Sequence, residues 1–508
     1  MRELLERRVA ATPAKSFLFS ERDGRKWTYL EFDRAVNRTA NLLAEHGVKR
    51  GDTVSLLLPN SAEYIIAYFA CFKIGALAGP INSLLKAEEI AYVVSHSEAK
   101  LLLYHSQFRA EVEAAQRSEA SSLQAALVFD DVANYAAHPE TPGQSWSALR
   151  LQRTDEAIII YTSGTTGKPK GCLLTHGNLL ANAGQIVNWL EFTPADRLLS
   201  VMPLFHMNAV MVTTIAALYA GGSTVVSPRF SASRFWGIIS DYEVTSFGSV
   251  ATMLSMLLAT YPEGVPPGTR KRQLRFAMCG SAPVPAEVLR RFEETFECLV
   301  IEGYGLSEST VRATFNPPDA RRRPGSCGQS IGCEIVICDE EDREVAAGEL
   351  GEIALRGENI FKGYYKNEAA TAHAFRNGWF HTGDIGYRDA DGFYYIVDRK
   401  SDMIIRGGEN IYPREIDEVL YRHPAIAAAA VIGVPDELYG EEVAAFVVLK
   451  EGHGASPEEI AQFCRAHLAD YKCPKTINFL AELPKGATGK VLKRELVGRR
   501  KNGEIVDR

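Results

Sequence analysis

Short apolar runs alternate with amphipathic stretches through roughly the first half of the chain. A chain patterned this way pairs its strands in parallel and covers the sheet with the helices that cross between them. Thr28 and Glu31 have capping-box spacing, and Phe32, Ala35, Val36, Leu42 and Leu43 then recur at helical intervals until Gly47 offers a stop. Residues 53–58 form an apolar run, 62–74 are helical in period, and 76–81 read as a strand again. The pattern continues with runs at 101–104, 157–161, 223–226 and 274–279. From Gly348 the texture changes to aromatic and β-branched residues broken by Gly and Asp-Gly, which suits antiparallel strands and tight turns. Mixed texture returns after residue 402, with a helix at 413–421, strands at 428–432 and 444–449, and a helix at 457–468. The expected fold is α/β: a large N-terminal domain of parallel sheets covered by helices at 1–398, a β-rich subdomain within it at about 325–398, and a small α+β domain at 403–508.

A length of 508 residues allows roughly three domain-sized units. The formal charge of −7 leaves no global positive field, which argues against nucleic acid as a partner. Nine cysteines are an odd number, and Cys327, Cys333 and Cys338 are too widely spaced for paired zinc ligands, so they read as reduced thiols of a cytoplasmic protein. The first 15 residues mix both charge signs where a secretion signal needs an apolar core. Residues 201–222 are uncharged and long enough to span a membrane, but Pro203, His206 and Asn208 crowd one end, and a buried helix is expected instead of a transmembrane segment.

The strongest local signal is IIIYTSGTTGKPKG at 158–171, an apolar strand running into a loop of small hydroxylic residues, glycines and lysines. Gly164 and Gly167 let backbone N–H groups approach a phosphate, Thr162, Ser163, Thr165 and Thr166 supply hydroxyls, and Lys168 and Lys170 supply charge. The spacing is not that of a Walker loop, and Pro169 stands where a Mg²⁺-binding hydroxyl would be, so a metal ligand must lie elsewhere.

Five motifs follow one another: YTSGTTGKPKG at 161–171, GYGLSES at 303–309, WFHTGD at 379–384, DRKSDMIIRGGENIYPREIDEVL at 398–420 and LPKGATGKVLKREL at 483–496. In kind and order they resemble the adenylate-forming enzymes, the superfamily of acyl-CoA synthetases, nonribosomal adenylation domains and luciferases. The resemblance covers nearly the whole chain. It implies that a carboxylate attacks the α-phosphate of ATP to give acyl-AMP and pyrophosphate, and that the acyl group then passes to the thiol of coenzyme A. Residues 162–170 would hold the β- and γ-phosphates, with Thr166 and Ser307 near the chemistry and Glu308 on Mg²⁺. Tyr304, between Gly303 and Gly305, would stack on adenine opposite Gly280, Ser281, Ala282 and Pro283; core packing is an equal alternative for its ring. Asp384 would accept the ribose hydroxyls and Arg399 would pair with it. Lys490 would bridge the acid and the α-phosphate, although Lys485, Lys493 and Arg494 surround it with a basic tail. The small domain would be mobile about a hinge at 399–402, placed at Ser401, where the family usually has Asp or Lys. Gly407 and Gly408 would face the CoA channel.

His206 corresponds to the position between acid pocket and nucleotide, with a conformational role. The acid pocket is expected around Asn208, Val250, Met253, Met278, Cys279 and Ser309, a mainly apolar lining that suggests an apolar acid of medium size or larger. Asn208 reads equally well as a helix cap. A carnitine- or crotonobetaine-type acid, an aryl acid, a carrier-protein acceptor, and a catalytically silent nucleotide-binding regulator stay open, as does a homodimer.

Overall fold

The computed structural model describes residues 1–501 other than 120, 124, 144–145, 147, 163–168, 281–283 and 487–490. One mixed sheet runs in the spatial order Gly363–Tyr364, Lys170–Thr175, Glu156–Thr162, Leu77–Pro80, Thr53–Leu57, Ala99–Tyr104, Ala126–Val128. From Glu156–Thr162 onward its strands are parallel, and the first two join antiparallel. A second sheet of nine strands has a parallel centre, Leu299–Tyr304, Phe276–Cys279, Ser246–Ser249, Arg197–Ser200, Ser223–Val226 and Ser16–Ser20, with antiparallel strands at both edges.

The parallel centres are mostly buried because helices cover both of their faces. The helix Ala62–Ile74 is apolar nearly all round, and each of its residues is buried. Its two charges are paired, Glu63 with Arg25 at 2.7 Å and Lys73 with Asp33 at 2.8 Å. Ser61 caps its start and left-handed Gly75 closes its end. The helix Tyr29–Glu45 carries the expected capping box: Glu31 N–H donates to Thr28 Oγ1 at 3.2 Å, and Thr28 N–H to Glu31 Oε2 at 2.8 Å.

The glycine- and aromatic-rich stretch forms a five-stranded antiparallel sheet: Glu334–Cys338, Gly351–Arg356, Trp379–Arg388 and Phe375–Arg376, with Tyr394–Arg399 also on Trp379–Arg388. A last sheet builds on the long hairpin Ile426–Asp436 and Gly440–Leu449, flanked by Pro413–Tyr421 and Pro457–Arg465. Alternation gives that sheet two separate cores: Val431, Val443 and Val447 face Ile416 and Ile460, while Ala430, Ile432 and Phe446 face Leu483 and Leu496. All nine cysteines are free. Among the described residues no helix is long and apolar enough to cross a membrane.

The uncharged run at 201–222 is buried, but only part of it is an α-helix. Residues Asn208–Ile215 are a π-helix, and Ala216–Ala220 continue as α. The hydroxyls of Thr213 and Thr214 both donate to the carbonyl of Ala209, at 2.9 and 3.1 Å, which suits the wider turn.

His176 opens the helix His176–Trp189 inside the core, packed edge-on to Phe72, and neither ring nitrogen has a partner among the described residues. Burial, aided by the charge of the chain N-terminus, lowers its pKa to about 3. Between the ordinary value near 6.5 and that value only the unfolded chain takes up the proton, so stability present above pH 6.5 is lost as pH falls. At pH 5 the loss is about 2 kcal/mol. Denaturant midpoints near pH 7.5 and 5 should therefore lie closer together in His176→Phe than in the wild type; an equal spacing would assign the acid lability elsewhere.

Candidate nucleotide and acid site

The strand Glu156–Thr162 turns back as Lys170–Thr175, with Thr162 and Lys170 in register across the hairpin. Ser163, Gly164, Thr165, Thr166 and Gly167 lie outside the described residues, as do Ser281, Ala282, Pro283 and Lys490. Gly363–Tyr364 pairs with Cys172 and Leu173 on the returning strand, which places the Tyr364 ring 5.1 Å from Lys170 Nζ. The Tyr364 hydroxyl donates to Glu308 Oε1 at 2.9 Å. Glu308 sits in a short turn after the strand Leu299–Tyr304 and is 8% exposed, and burial pushes its carboxyl up. Thr310, which ends that turn, holds a φ of +68°, rare for a β-branched residue, and its hydroxyl donates to the Asn359 carbonyl at 2.7 Å.

Asp384 and Arg399 are register partners on adjacent strands of the antiparallel sheet, with Arg399 Nε 3.2 Å from Asp384 Oδ1. The other carboxylate oxygen accepts from the Tyr304 hydroxyl at 2.6 Å. Burial and the adjoining Asp384 charge hold the Tyr304 hydroxyl well above its ordinary pKa, so it remains a donor. Tyr304 stands between two glycines for a steric reason: a Cβ on Gly303 would meet the Phe315 ring at 2.4 Å, and one on Gly305 would meet the Val311 carbonyl oxygen at 2.2 Å. The charge of Arg399 also reaches Glu308 and Tyr364, which makes the two clusters one electrostatic site.

The acid-pocket candidates gather at the C-terminal ends of two parallel strands, where open α/β sheets bind ligands. Ser249 and Cys279 are register partners there, Val250 and Met253 begin the following helix, and Ser249 Oγ donates to the Met278 carbonyl at 3.1 Å. Burial pushes the Cys279 thiol up to about 12, too high for a nucleophile. The His206 ring lies on Phe205 with its centroid 4.6 Å away, burial lowers its pKa to about 4, and Nε2 has no partner among the described residues. Asn208 is the first residue of the π-helix and is buried. The Ser309 hydroxyl is occupied within its turn, accepting from Leu306 N–H at 2.9 Å and donating to Leu306 C=O at 3.1 Å. Ser307 is half-buried in the same turn.

Gly407 and Gly408 form the two-residue turn between Ile404–Arg406 and Glu409–Ile411, with φ of +59° and +92°. Ser401 Oγ is 3.1 Å from Asp402 Oδ1, and the neighbouring Lys400 N–H donates to Gly383 O at 2.8 Å. The residues flanking 487–490 are tied together: Lys485 bridges Val491, Leu492 N–H donates to Pro484 O at 2.9 Å, and Lys493 Nζ lies 3.2 Å from Asp417 on the helix Pro413–Tyr421.

Three participants were not foreseen from the sequence. Tyr364 is 56 positions from the carboxylate it binds, and only the pairing of Gly363–Tyr364 with the hairpin that carries Thr162 and Lys170 reveals it. Asp417 looks like one charge on a surface helix, yet it is buried enough to raise its pKa to about 6. Arg312 lies hidden in the run VRATF after the 303–309 motif and is 1% exposed.

Residues 5–365 match the family described as AMP-binding enzyme, and residues 415–490 match the AMP-binding enzyme C-terminal domain. Sulfoacetate–CoA ligase of Cupriavidus necator is 38% identical over 499 residues, which cover 97% of this chain and 96% of that protein. ATP-bound MatB from Rhodopseudomonas palustris superposes with a TM-score of 0.90 at 30% identity, covering 98% of this chain and 99% of that one. The apo form of the same protein gives 0.78, so the overall shape is nearer the ATP-bound form. o-Succinylbenzoate CoA synthetase (MenE) from Bacillus subtilis, in complex with the acyl-adenylate OSB-AMP, superposes with a TM-score of 0.87 at 34% identity and 98% coverage of both chains. With both family segments in order along one chain, and with full-length relatives of this similarity, the protein belongs to the AMP-binding enzyme family, the AMP-forming acid–CoA ligases of the adenylate-forming superfamily.

Proposed function

We propose that the two clusters described above grip one ATP, with Asp384, Arg399 and Tyr304 at the ribose and Lys170, Tyr364 and Glu308 at the phosphates. The observation that carries this reading is the shared electrostatics: Arg399, the guanidinium paired with the Asp384 carboxylate, also acts on Glu308. The acid attacks already ionised, because carboxylates near pKa 4 need no base at neutral pH. Its negative charge and that of the α-phosphate repel each other, and the role given to Lys490 is to offset that repulsion as the bond forms. His206, neutral at pH 7, closes the wall between acid and nucleotide.

Glu308 is the residue that would hold Mg²⁺. Among the described residues no group of three or more His, Cys, Asp or Glu side chains forms a metal site by itself. One buried carboxylate suits a cation that takes its remaining ligands from phosphate oxygens and water. When bound, Mg²⁺ neutralises charge on the phosphates.

Thioester formation with coenzyme A is the second half of the reading, supported by the family and by the glycine turn at 407–408, where absent side chains admit a slender thiol arm. The hinge assigned to 399–402, centred on Ser401, would let the small domain turn between the two half-reactions. Nine free thiols suit a cytoplasmic enzyme.

The test is acid-dependent pyrophosphate release over a panel of short, fatty, aryl and betaine-type acids, each run with and without coenzyme A. Pyrophosphate with a thioester product is expected. ATP binding without turnover of any acid would support a silent regulator instead, and adenylate without thioester would point to another acceptor.

A further inference from the structure

Arg312 is held by its backbone on both sides. Its N–H donates to Asn182 Oδ1 at 3.2 Å, and its carbonyl accepts from Asn182 Nδ2 at 2.7 Å and from Asn359 Nδ2 at 3.3 Å. The guanidinium then packs over Phe315, with Cζ 5.1 Å from the ring centroid. Nη1 donates to the neighbouring Val311 carbonyl at 3.1 Å. Nε and Nη2 are buried and have no partner among the described residues. These two nitrogens form one edge of the guanidinium, the fork that matches a carboxylate oxygen for oxygen.

Among the described residues nothing anionic pairs with this charge. The ionisable groups that act on it are the thiols of Cys279 and Cys327, and Cys279 is itself held in its neutral form. Burial lowers the guanidinium to about 10, so it is still a cation at neutral pH. A buried cation without a counter-charge destabilises a fold unless a partner completes it.

Its position says what that partner is. A Cβ on Gly280 would lie 2.5 Å from Nη2, so the absent side chain at the end of Phe276–Cys279 is what makes room for the guanidinium. That strand end carries Met278 and Cys279, which the reading above assigns to the acid pocket. We propose that Arg312 is the specificity-determining residue for the acid, binding through Nε and Nη2 a second anionic group, carboxylate or sulfonate, at the far end of a short substrate. This rests on the acid-activating reading above and replaces the apolar far end expected from the pocket lining.

The experiment compares matched acids in the pyrophosphate-release assay: succinate against butyrate, and sulfoacetate against propanoate, with wild type, Arg312→Gln and Arg312→Lys. The wild type should favour the dianionic member of a pair by about 100-fold in kcat/KM, with most of the difference in KM. Arg312→Gln should bring that ratio to about one, and Arg312→Lys should restore part of it. A wild type that prefers the monoanionic acids, or a Gln variant with an unchanged ratio, overturns the proposal. Should the variants fail to fold, as judged by thermal melting, the wild-type ratio alone decides. Turnover of monoanionic acids only would sink this assignment and leave acid activation standing; turnover of none would sink both.

Discussion

Replacing Lys490 with Ala is expected to lower acid-dependent pyrophosphate release by about a thousandfold, with little change in ATP affinity. Two anions must come together in the first half-reaction, and the loss of one well-placed donor to developing charge has an effect of this order. Transfer of the acyl group from a preformed acyl-adenylate to coenzyme A should fall by less than about threefold, because no second anion has to be brought in. Lys485→Ala is the control. It removes the same charge five positions away in the same motif, so an equal defect in both variants would mean that the basic tail acts through bulk charge. Adenylate formation at the wild-type rate in Lys490→Ala would end the assignment. The segments on either side are tied down, Lys485 to Val491 and Lys493 to Asp417.

Asp384→Ala should raise the KM for ATP by about 100-fold, the effect of losing charge-assisted bonds to two hydroxyls. It should also cost about 2 kcal/mol of stability, since Asp384 is 4% exposed and its removal leaves the Tyr304 hydroxyl and Arg399 without their shared acceptor. Asp384→Asn keeps an acceptor and should show the smaller effect on both counts. Initial rates over an ATP series, with a melting curve for each variant, separate the two contributions. A lowered melting temperature with an unchanged KM would make Asp384 a structural corner and no more.

Local order was legible wherever a short-range rule governs it. The helix Ala62–Ile74 matches its expected span because Ser61 and Gly75 mark its ends, and Pro413–Tyr421 does so because proline fits a first turn. The π-helix was not legible, since a long apolar run carries no mark of turn width; two adjacent threonines sharing one carbonyl become visible only in three dimensions. In the site, Tyr304, Glu308, Asp384 and Arg399 could be named only because their motifs resemble those of a known family, and the structure brings them together from three separate segments. Tyr364, Asp417 and Arg312 could not be named this way. Their partners come from remote segments, and nothing in their own neighbourhoods separates them from surface or core residues.

The bonds from Tyr304 to Asp384 and from Tyr364 to Glu308 make a ladder of two rungs. One rail is the four-residue step from 304 to 308, and the other is the twenty-residue excursion from 364 to 384. On the reading proposed above, the rail lengths would set the span between the sugar and the phosphate tail, as a caliper sets a gap. Insertions or deletions between 364 and 384 should therefore be tolerated only in the loops that leave both rungs in place.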